Sequence, residues 1–513
     1  KRKMTTKALK LFRKRQALSE GINPNKVFTK TVLNSLLQRK PTDVISLKRV
    51  PGVGKVTIQK YGDEILNIFQ TPETSEEFDE SRFPDSLSPE QLDILQRVYK
   101  GENVFMSGPG GTGKSFVIEC IIQLVEARGD DIQVCAMTGS ASELLKCSSK
   151  TLHSWSKTGI MKGDPERIIA LTSTLKTAIT NFRDVDVLVI DEVSMMSSKA
   201  FHIINRIAQK VRKNDKPFGG IQMIVSGDFF QIPPVETQGD PDTGKFCFES
   251  EMWFPTFPKE NFVSLTKIFR QSDKRWIKSL GQIRRGQSST KTREMLTQRI
   301  CEPPEGVDPI RITPSRAKCR EINDREMMSL NTPSETFQME VCYDKMPMST
   351  SFPPYVENEV KTLKKSLLLE TLTLREGARV MCIANLEMIG NRYIVNGSQG
   401  TVLRFDIEGY PVVRFENGRT KTMKPYTIKS ETIDGLSIRQ VPLILSWAIT
   451  THKSQGITVD RAIIDAGSDN FEYGQIYVAL SRVKSLEGLF LTGFDPQKIR
   501  ANPIVKAFYE SLS

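Results

Sequence analysis

Apolar residues recur at helical spacing three times before residue 68: Ala8, Leu11 and Phe12, then Val32, Leu33, Leu36 and Leu37, then Ile45, Leu47 and Val50. Residues 1–68 are therefore expected to form a small all-α bundle. The periodicity then stops. Glu73, Glu76, Glu77, Asp79, Glu80 and Asp85, with prolines at 72 and 84, leave little to bury, so residues 69–86 read as an acidic linker and tether. From residue 87 the pattern changes to short unbroken apolar runs at 104–106, 187–190 and 221–225, the first leading into helical spacing over 116–125. Such runs are expected of strands buried on both faces of a parallel α/β sheet. Ser88 and Pro89 suit the N-cap and first turn of the helix that precedes the first run. Between 320 and 442 the runs shorten again, at 400–405 and 411–415, and Asn417-Gly418 signals a hairpin, which predicts a small inserted β-barrel. Residues 341–370 fit no pattern beyond a loop over 346–354 and a basic solvated stretch over 361–365.

Composition adds three limits. The 513 residues suffice for several domains, and no apolar run approaches the ~18 residues needed to cross a bilayer, so no membrane partner is expected. The eight cysteines are scattered without a C-x-x-C pair, which fits free thiols in an intracellular reducing compartment. Nucleus, mitochondrion and bacterial or virus-infected cytoplasm are not distinguished. The net charge of +12 is uneven: residues 1–60 hold 16 Lys or Arg against Glu20 and Asp43, so this segment carries +14 and the remainder −2. A basic module joined to a nearly neutral body points to a polyanion partner.

Chemistry concentrates at Gly108-Pro109-Gly110-Gly111-Thr112-Gly113-Lys114-Ser115, between an expected strand and an expected helix. Glycines at 108, 110, 111 and 113 let the backbone turn its N–H groups inward around a polyphosphate, with Thr112 in the same loop. Lys114 reaches the β- and γ-phosphates and the Ser115 hydroxyl suits a phosphate-bound Mg²⁺. Asp191 and Glu192 follow the run at 187–190, at the strand end where ligands of parallel sheets sit. Asp191 suits Mg²⁺, and Glu192 suits the attacking water, which together imply an ATPase. Gln231, in Gly227-Asp228-Phe229-Phe230-Gln231-Ile232-Pro233-Pro234, is placed to sense the γ-phosphate.

Two groups of residues suit nucleic acid. In the basic module, the Pro51-Gly52-Val53-Gly54 turn with Lys48, Arg49, Lys55 and Lys60 suits a DNA phosphate; alternatively, its glycines only permit close helix packing. Thr138, Ser140, His153, Trp155, His452 and Lys453 form a candidate single-strand track of hydroxyls, N–H groups and rings, in which His153 and Trp155 also suit a core.

Residues 201–235, with Ile207-Ala208, Val211-Arg212-Lys213 and the stretch from Lys216 to Gln222 running into Gly227-Asp228, resemble the signature segment of the Pif (petite integration frequency) family of superfamily 1 DNA helicases. Leu265-Thr266, Phe269-Arg270-Gln271, Ile283-Arg284-Arg285-Gly286, Gly377-Ala378-Arg379-Val380-Met381, Val395-Asn396-Gly397, the stretch 442–460 and Tyr477 to Val483 extend the likeness over about residues 87–495. The first 68 residues resemble the helicase-and-RNase-D C-terminal (HRDC) domain. The resemblance implies an α/β fold with two RecA-like motor domains: 87–237, carrying a small wedge insertion, and 238–330 with 441–513. A small Src-homology-three-like barrel is inserted at 331–440. It also implies ATP and Mg²⁺ as cofactors, Gln91 reading adenine, Gln231 in the third motif, and Arg270 with Arg482 as fingers closing across the γ-phosphate. Either arginine alone also suits an interdomain salt bridge. Expected partners are single-stranded DNA, forked or structured duplex DNA, and replication or repair proteins at the HRDC-like domain. The implied activity is unwinding with 5′ to 3′ polarity. A RecD-like or phage-type helicase and an ATP-switched DNA remodeller without unwinding remain alternatives, and the stretch 216–222 argues against the RecD-like one.

Overall fold

A computed structural model describes the whole chain except residues 1, 71–77, 139–148, 160, 307–308, 345–352, 368–369, 385, 390–391, 395–396, 431–432, 434 and 513. The acidic centre of the linker, Ser140, Val395-Asn396 and most of the 346–354 loop lie outside the described residues. None of the described helices is long and apolar enough to cross a membrane.

Helices Arg2–Ser19, Lys30–Arg39 and Lys55–Gln70 close on a core containing Leu9, Phe12, Leu36, Leu47 and Ile65. The short helix Val44–Lys48 begins with a reciprocal cap between Asp43 and Ser46. Leu11 and Ile45 share the helical spacing but lie 37% and 65% exposed, at the edge of the apolar stripe. Gly52 has φ +84, and a Cβ there would stand 2.6 Å from Val32 Cγ2. The turn glycine therefore permits close helix packing.

Much of the module's basic charge is directed at the chain itself. Lys10 Nζ reaches Asp130 at 2.5 Å and Asp186 at 3.1 Å; Lys30 Nζ reaches Asp131 at 3.1 Å and Asp186 at 3.4 Å. Lys14 lies 3.2 Å and Arg13 3.6 Å from Asp131. Gly129, at φ +76, lets the surfaces meet, since a Cβ there would stand 3.1 Å from the Leu11 nitrogen. The +14 segment is thus not a free polyanion surface: four of its cations face aspartates of the first motor domain. Lys48, Arg49 and Lys55 remain exposed, and Lys60 pairs with Glu20 at 3.0 Å.

That domain is built on six strands: β1 Val104–Ser107, β2 Ile132–Ala136, β3 Lys150–Thr151, β4 Val187–Asp191, β5 Gln222–Gly227 and β6 Phe262–Ser264. They pair in parallel in the order β3-β2-β4-β5-β1-β6. The central strands are buried apart from Gln222 at the start of β5, which is why they read as apolar runs. Pro89–Lys100 and Lys114–Ala127 cover one face through Ile94, Leu95, Val98, Val117 and Ile121. Asp130, Asp131 and Asp186 precede β2 and β4, so the module docks at the amino edge of the sheet.

A second parallel sheet runs Ala448–Thr450, Ile310–Thr313, Ala462–Ala466, Leu489–Phe494. Between its strands in sequence lie antiparallel ones, the largest group ordered Thr420–Thr422, Pro411–Phe415, Gln399–Phe405, Arg379–Cys382, Leu443–Leu445 around Val380, Val402, Val413 and Phe415. The Asn417-Gly418 turn joins two of these strands, with Gly418 at φ +81. These ladders form a sheet with two edges and, among the described residues, no ladder closes it into the expected barrel. Lys361 to Lys365 fall on a helix, Pro354–Leu367, whose Val356 and Leu363 are buried against Leu436 and Ile438.

The stretch expected to complete the second motor domain, 441–513, does not pack there throughout: Ala501, Val505 and Phe508 belong to the apolar core of the first. The terminal helix Pro503–Ser511 carries apolar residues on a face that fits the aromatic cluster of Phe105, Phe229, Phe248 and Trp253.

The docking of the basic module predicts a salt response. Its ion pairs keep partial solvent contact, each is worth about 1 kcal/mol or less, and salt screens them. The radius of gyration by small-angle X-ray scattering should rise between 0.1 and 1 M salt, and Asp131→Asn with Asp186→Asn should give the larger value already at low salt. Salt-independent dimensions in both proteins would refute electrostatic docking.

Candidate functional site

Strands β1, β5 and β4 are neighbours, so their carboxyl ends set three loops side by side: Gly108 to Gly113, Asp228 to Gln231, and Asp191-Glu192. In the first, Gly111 and Gly113 take φ +89 and +79, and Lys114 begins the helix Lys114–Ala127. The chain is crowded there: a Cβ on Gly108 would stand 2.7 Å from the Leu265 carbonyl, and one on Gly111 2.6 Å from Arg270 Cβ. Lys114 Nζ donates to the carbonyls of Gly108 at 2.7 Å and Pro109 at 3.0 Å, and Thr112 Oγ1 donates to Pro109 at 3.0 Å. Burial lowers the Lys114 pKa, opposed by Asp228, Glu192 and Asp191. Ser115 is exposed in the first helical turn.

The acidic pair occupies the end of β4. Asp191 is buried, and burial raises its pKa. Glu192 adopts φ 52, ψ 43, a left-handed conformation costing about 1 to 3 kcal/mol for a non-glycine residue. Burial, and then the neighbouring Asp191 charge, push its carboxyl up to about 7. Glu192 Oε2 and Gln231 Oε1 are buried with no protein hydrogen-bond partner. Buried polar atoms are normally paired, so two unpaired acceptors beside a glycine loop mark the place of a ligand or water.

Arg482 approaches the same loop from beside the second core, and Arg270 from the crossing segment, where the Phe269 N–H donates to the Gly111 carbonyl at 2.7 Å. A Cβ on Gly110 would stand 3.2 Å from Arg482 Nη2 and 3.4 Å from Arg270 Nη1. Arg482 is 2% exposed and donates to the Val478 carbonyl at 2.9 Å and to Ser481 Oγ at 2.7 Å; Arg270 donates to the Ser481 carbonyl at 3.1 Å. Burial, and then Arg482, bring the Arg270 pKa down to about 9. Among the described residues, the guanidiniums of Arg270 and Arg482 bond to carbonyl and hydroxyl oxygens rather than to a carboxylate. Lys114, Arg270 and Arg482 thus surround a cradle of backbone donors opposite Asp191, Glu192 and Asp228. A polyphosphate fits that set, and the oxygens of Ser115 and Asp191 are the hard donors Mg²⁺ takes.

Gln91 lies beside this cradle. Its Oε1 accepts from the Ser88 N–H at 2.9 Å and its Nε2 donates to the Thr112 carbonyl at 3.2 Å. These bonds brace the loop and leave the amide one further donor and one further acceptor position.

The nucleic-acid candidates divide. Trp155 is 3% exposed, its ring 4.7 Å from Phe182 within the first-domain core, so DNA stacking is corrected to a packing role. His153 on the same short helix is half-buried, and burial lowers its pKa. Thr138 follows β2 and is half-buried. His452 and Lys453 are half-buried near Arg316; burial first and Arg316 second lower the His452 pKa, while burial also lowers that of Lys453.

Three further residues complete the site. Asp228 is fully buried and accepts two bonds from Arg284, at 2.9 and 2.8 Å. The Tyr477 hydroxyl accepts from the Gly110 N–H at 3.0 Å, and burial pushes its pKa up to about 12. Their signal was motif membership alone. Tyr509, which joins the same network, had none.

Comparison with known proteins gives two family matches, PIF1-like helicase over residues 86–294 and HRDC domain over residues 3–69. The chain is 36% identical over 436 residues to the ATP-dependent DNA helicase PIF1 of Xenopus laevis, covering 83% of this chain and 64% of that protein. Against the ATP-dependent DNA helicase Pif1 of Bdellovibrio bacteriovorus it is 33% identical, covering 83% of this chain and 92% of that protein. Among solved structures, Pif1 helicase from Candida albicans superposes with a TM-score of 0.72 at 32% identity, covering 83% of this chain and 99% of that one. Bacteroides Pif1 in complex with ADP-AlF₃ and single-stranded DNA gives 0.62 at 28% identity, covering 83% and 97%.

The raised Glu192 pKa has a stability consequence. A carboxyl lifted from 4.5 to about 7 favours its protonated form in the fold, so its contribution is fully present below about 4.5 and lost as pH rises through 7. Glu192→Gln should therefore raise the first unfolding transition at pH 8, by roughly 2 to 3 kcal/mol, and the gain should shrink toward pH 5. Differential scanning calorimetry at the two pH values checks this; an equal shift at both would contradict it.

Proposed function

Because the chain belongs to the PIF1-like helicase family, we propose that it is an ATP-driven DNA helicase that translocates on single-stranded DNA, with 5′ to 3′ polarity, and separates duplex or structured DNA. The observation that carries this reading is the convergence of Arg270 and Arg482 on Gly110. The loop N–H groups and Lys114 bind the phosphates. Glu192 orients the attacking water and takes its proton, and the raised pKa keeps it near the working range of a general base. The two guanidiniums stabilise charge developing in the transition state, so hydrolysis depends on domain closure. Mg²⁺, when held by Ser115 and Asp191, would neutralise phosphate charge. Gln231 links the phosphate end of the cleft to its neighbouring loops.

Thr138, Ser140, His153, His452 and Lys453 are the proposed contacts to the single strand, and the solved complex of the Bacteroides relative with DNA supports the choice of ligand. The exposed Lys48, Arg49 and Lys55 are left to the docked module for a fork phosphate or a replication or repair protein.

Lys114→Ala should lose nucleotide affinity, whereas Glu192→Gln should keep it and trap ATP; both should fail to open a forked duplex. Equal loss of binding in filter or fluorescence titrations would sink the assigned roles. Unwinding with a non-hydrolysable analogue would refute a hydrolysis-driven motor, and an ATPase that never unwinds would indicate a remodeller.

Arg482→Ala and Arg270→Ala should bind nucleotide normally and lose DNA-stimulated hydrolysis by about 10³ to 10⁵, the range for arginine fingers. Near-parental turnover would return both residues to a packing role.

A further inference from the structure

The loop Asp228 to Gln231 is gripped by residues that come from the far half of the chain. Arg284 donates to both Asp228 oxygens at 2.9 and 2.8 Å. Its guanidinium lies over Phe230 at 4.6 Å and over Tyr509 at 5.7 Å. Tyr509 stacks on Phe230 with ring centroids 5.0 Å apart and 12° between planes. Its hydroxyl shares a 2.5 Å hydrogen bond with Ser107 Oγ and accepts from the Phe229 N–H at 3.2 Å. Ser107 is the last residue of β1, immediately before the glycine loop. One hydroxyl therefore ties the glycine loop's strand to the Asp228 loop. The Tyr477 hydroxyl, 3.5 Å from Asp228 Oδ2, ties the same two loops from the other side. At Gly474, φ +70, a Cβ would stand 2.3 Å from the Phe230 carbonyl, so the helix Gln475–Leu480 starts directly on this loop.

The helix carrying Tyr509 is anchored separately. Phe508 stacks on Phe248 at 4.0 Å and Val505 is fully buried in the first-domain core. Tyr509 is thus presented to the loop by a rigid support. Its ring also excludes water from the Asp228–Arg284 pair, whose strength depends on that exclusion.

We propose that Tyr509 is a positioning residue and that the terminal helix Pro503–Ser511 is a strap coupling the glycine loop to the Asp228 loop. The state of the nucleotide cleft then reaches the parts of the motor that grip DNA. The proposal rests on the ATPase and DNA-binding reading above. Without the hydroxyl, Ser107 and the Phe229 N–H lose their common partner, and beyond the β1–β5 pairing the tie between the two loops is left to Tyr477 although the ring still packs. What should fall is the linkage between ligands rather than the affinity for either. Linkage is reciprocal and in allosteric proteins is commonly 5- to 150-fold.

The test measures single-stranded DNA affinity of the full chain by fluorescence anisotropy, with and without a non-hydrolysable ATP analogue. The variants are Tyr509→Phe, which keeps the ring and removes the tie, and Val505→Ala, which weakens the same helix without touching the loop. Tyr509→Phe should bring the ratio of the two affinities at least fivefold closer to one, leaving analogue affinity and melting temperature near parental. Val505→Ala should lower the melting temperature and keep the ratio. An unchanged ratio in Tyr509→Phe overturns the proposal, as does an equal loss of ratio in Val505→Ala or a parent whose DNA affinity ignores the analogue. ATP hydrolysis by the parent, assayed in the same samples, separates failure of this coupling from failure of the ATPase reading.

Discussion

Three cations, Lys114, Arg270 and Arg482, crowd one loop of inward N–H groups, and the surrounding structure is arranged to tolerate them. Arg482 is buried with carbonyl and hydroxyl partners alone, and Arg270 is depressed to about 9 by burial and by Arg482 itself. Opposite them, burial raises Asp191, and burial together with the adjacent Asp191 charge raises Glu192. Burial thus opposes the charged form in both sets. A polyanion placed among the cations would favour their charged forms. The like-charge contact at the loop is therefore a place where an anion relieves repulsion.

Electrostatics also settles where the basic module goes. The +14 segment suggested a surface for DNA, but charge totals do not reveal which direction the charges face. Asp130, Asp131 and Asp186, separate in sequence, become one acidic edge because β2 and β4 are adjacent. The sheet order brings them together, so no window of sequence contains the site.

The same distinction explains how much was legible. The glycine loop, Asp191-Glu192 and the arginines stand in contiguous motifs, and the parallel strands carried an unmistakable apolar signature. Trp155 was ambiguous because an aromatic residue suits both a core and a base stack; only the approach of Phe182 decides it. The segment from Lys216 to Gln222 carried the family likeness and turns out to be architectural. Phe218 and Gly219 take positive φ, Asn205 accepts from the Phe218 N–H at 2.7 Å, and Arg212 holds the Gly219 carbonyl at 2.9 Å. Specific sequence there reflects a difficult backbone path. Tyr509 was invisible since its partners, Ser107 and Phe229, lie hundreds of residues away.

Both ends of the chain are fastened to the first motor domain, the amino-terminal module at the sheet's amino edge and the terminal helix inside its aromatic core. The chain crosses to the second domain after Leu265, which packs in the first-domain core, and reaches the second core by Trp276. It returns within two residues, Ile499 belonging to one core and Ala501 to the other. Gly286 leaves the return crossing room, since a Cβ there would stand 2.5 Å from the Ala501 nitrogen. Arg284 and Tyr477, from the side of the second core, and Gly474 meet the Asp228 loop close to this return crossing, while Arg482 meets the glycine loop, so the loops at the carboxyl ends of β1 and β5 are both held by residues from the far half of the chain.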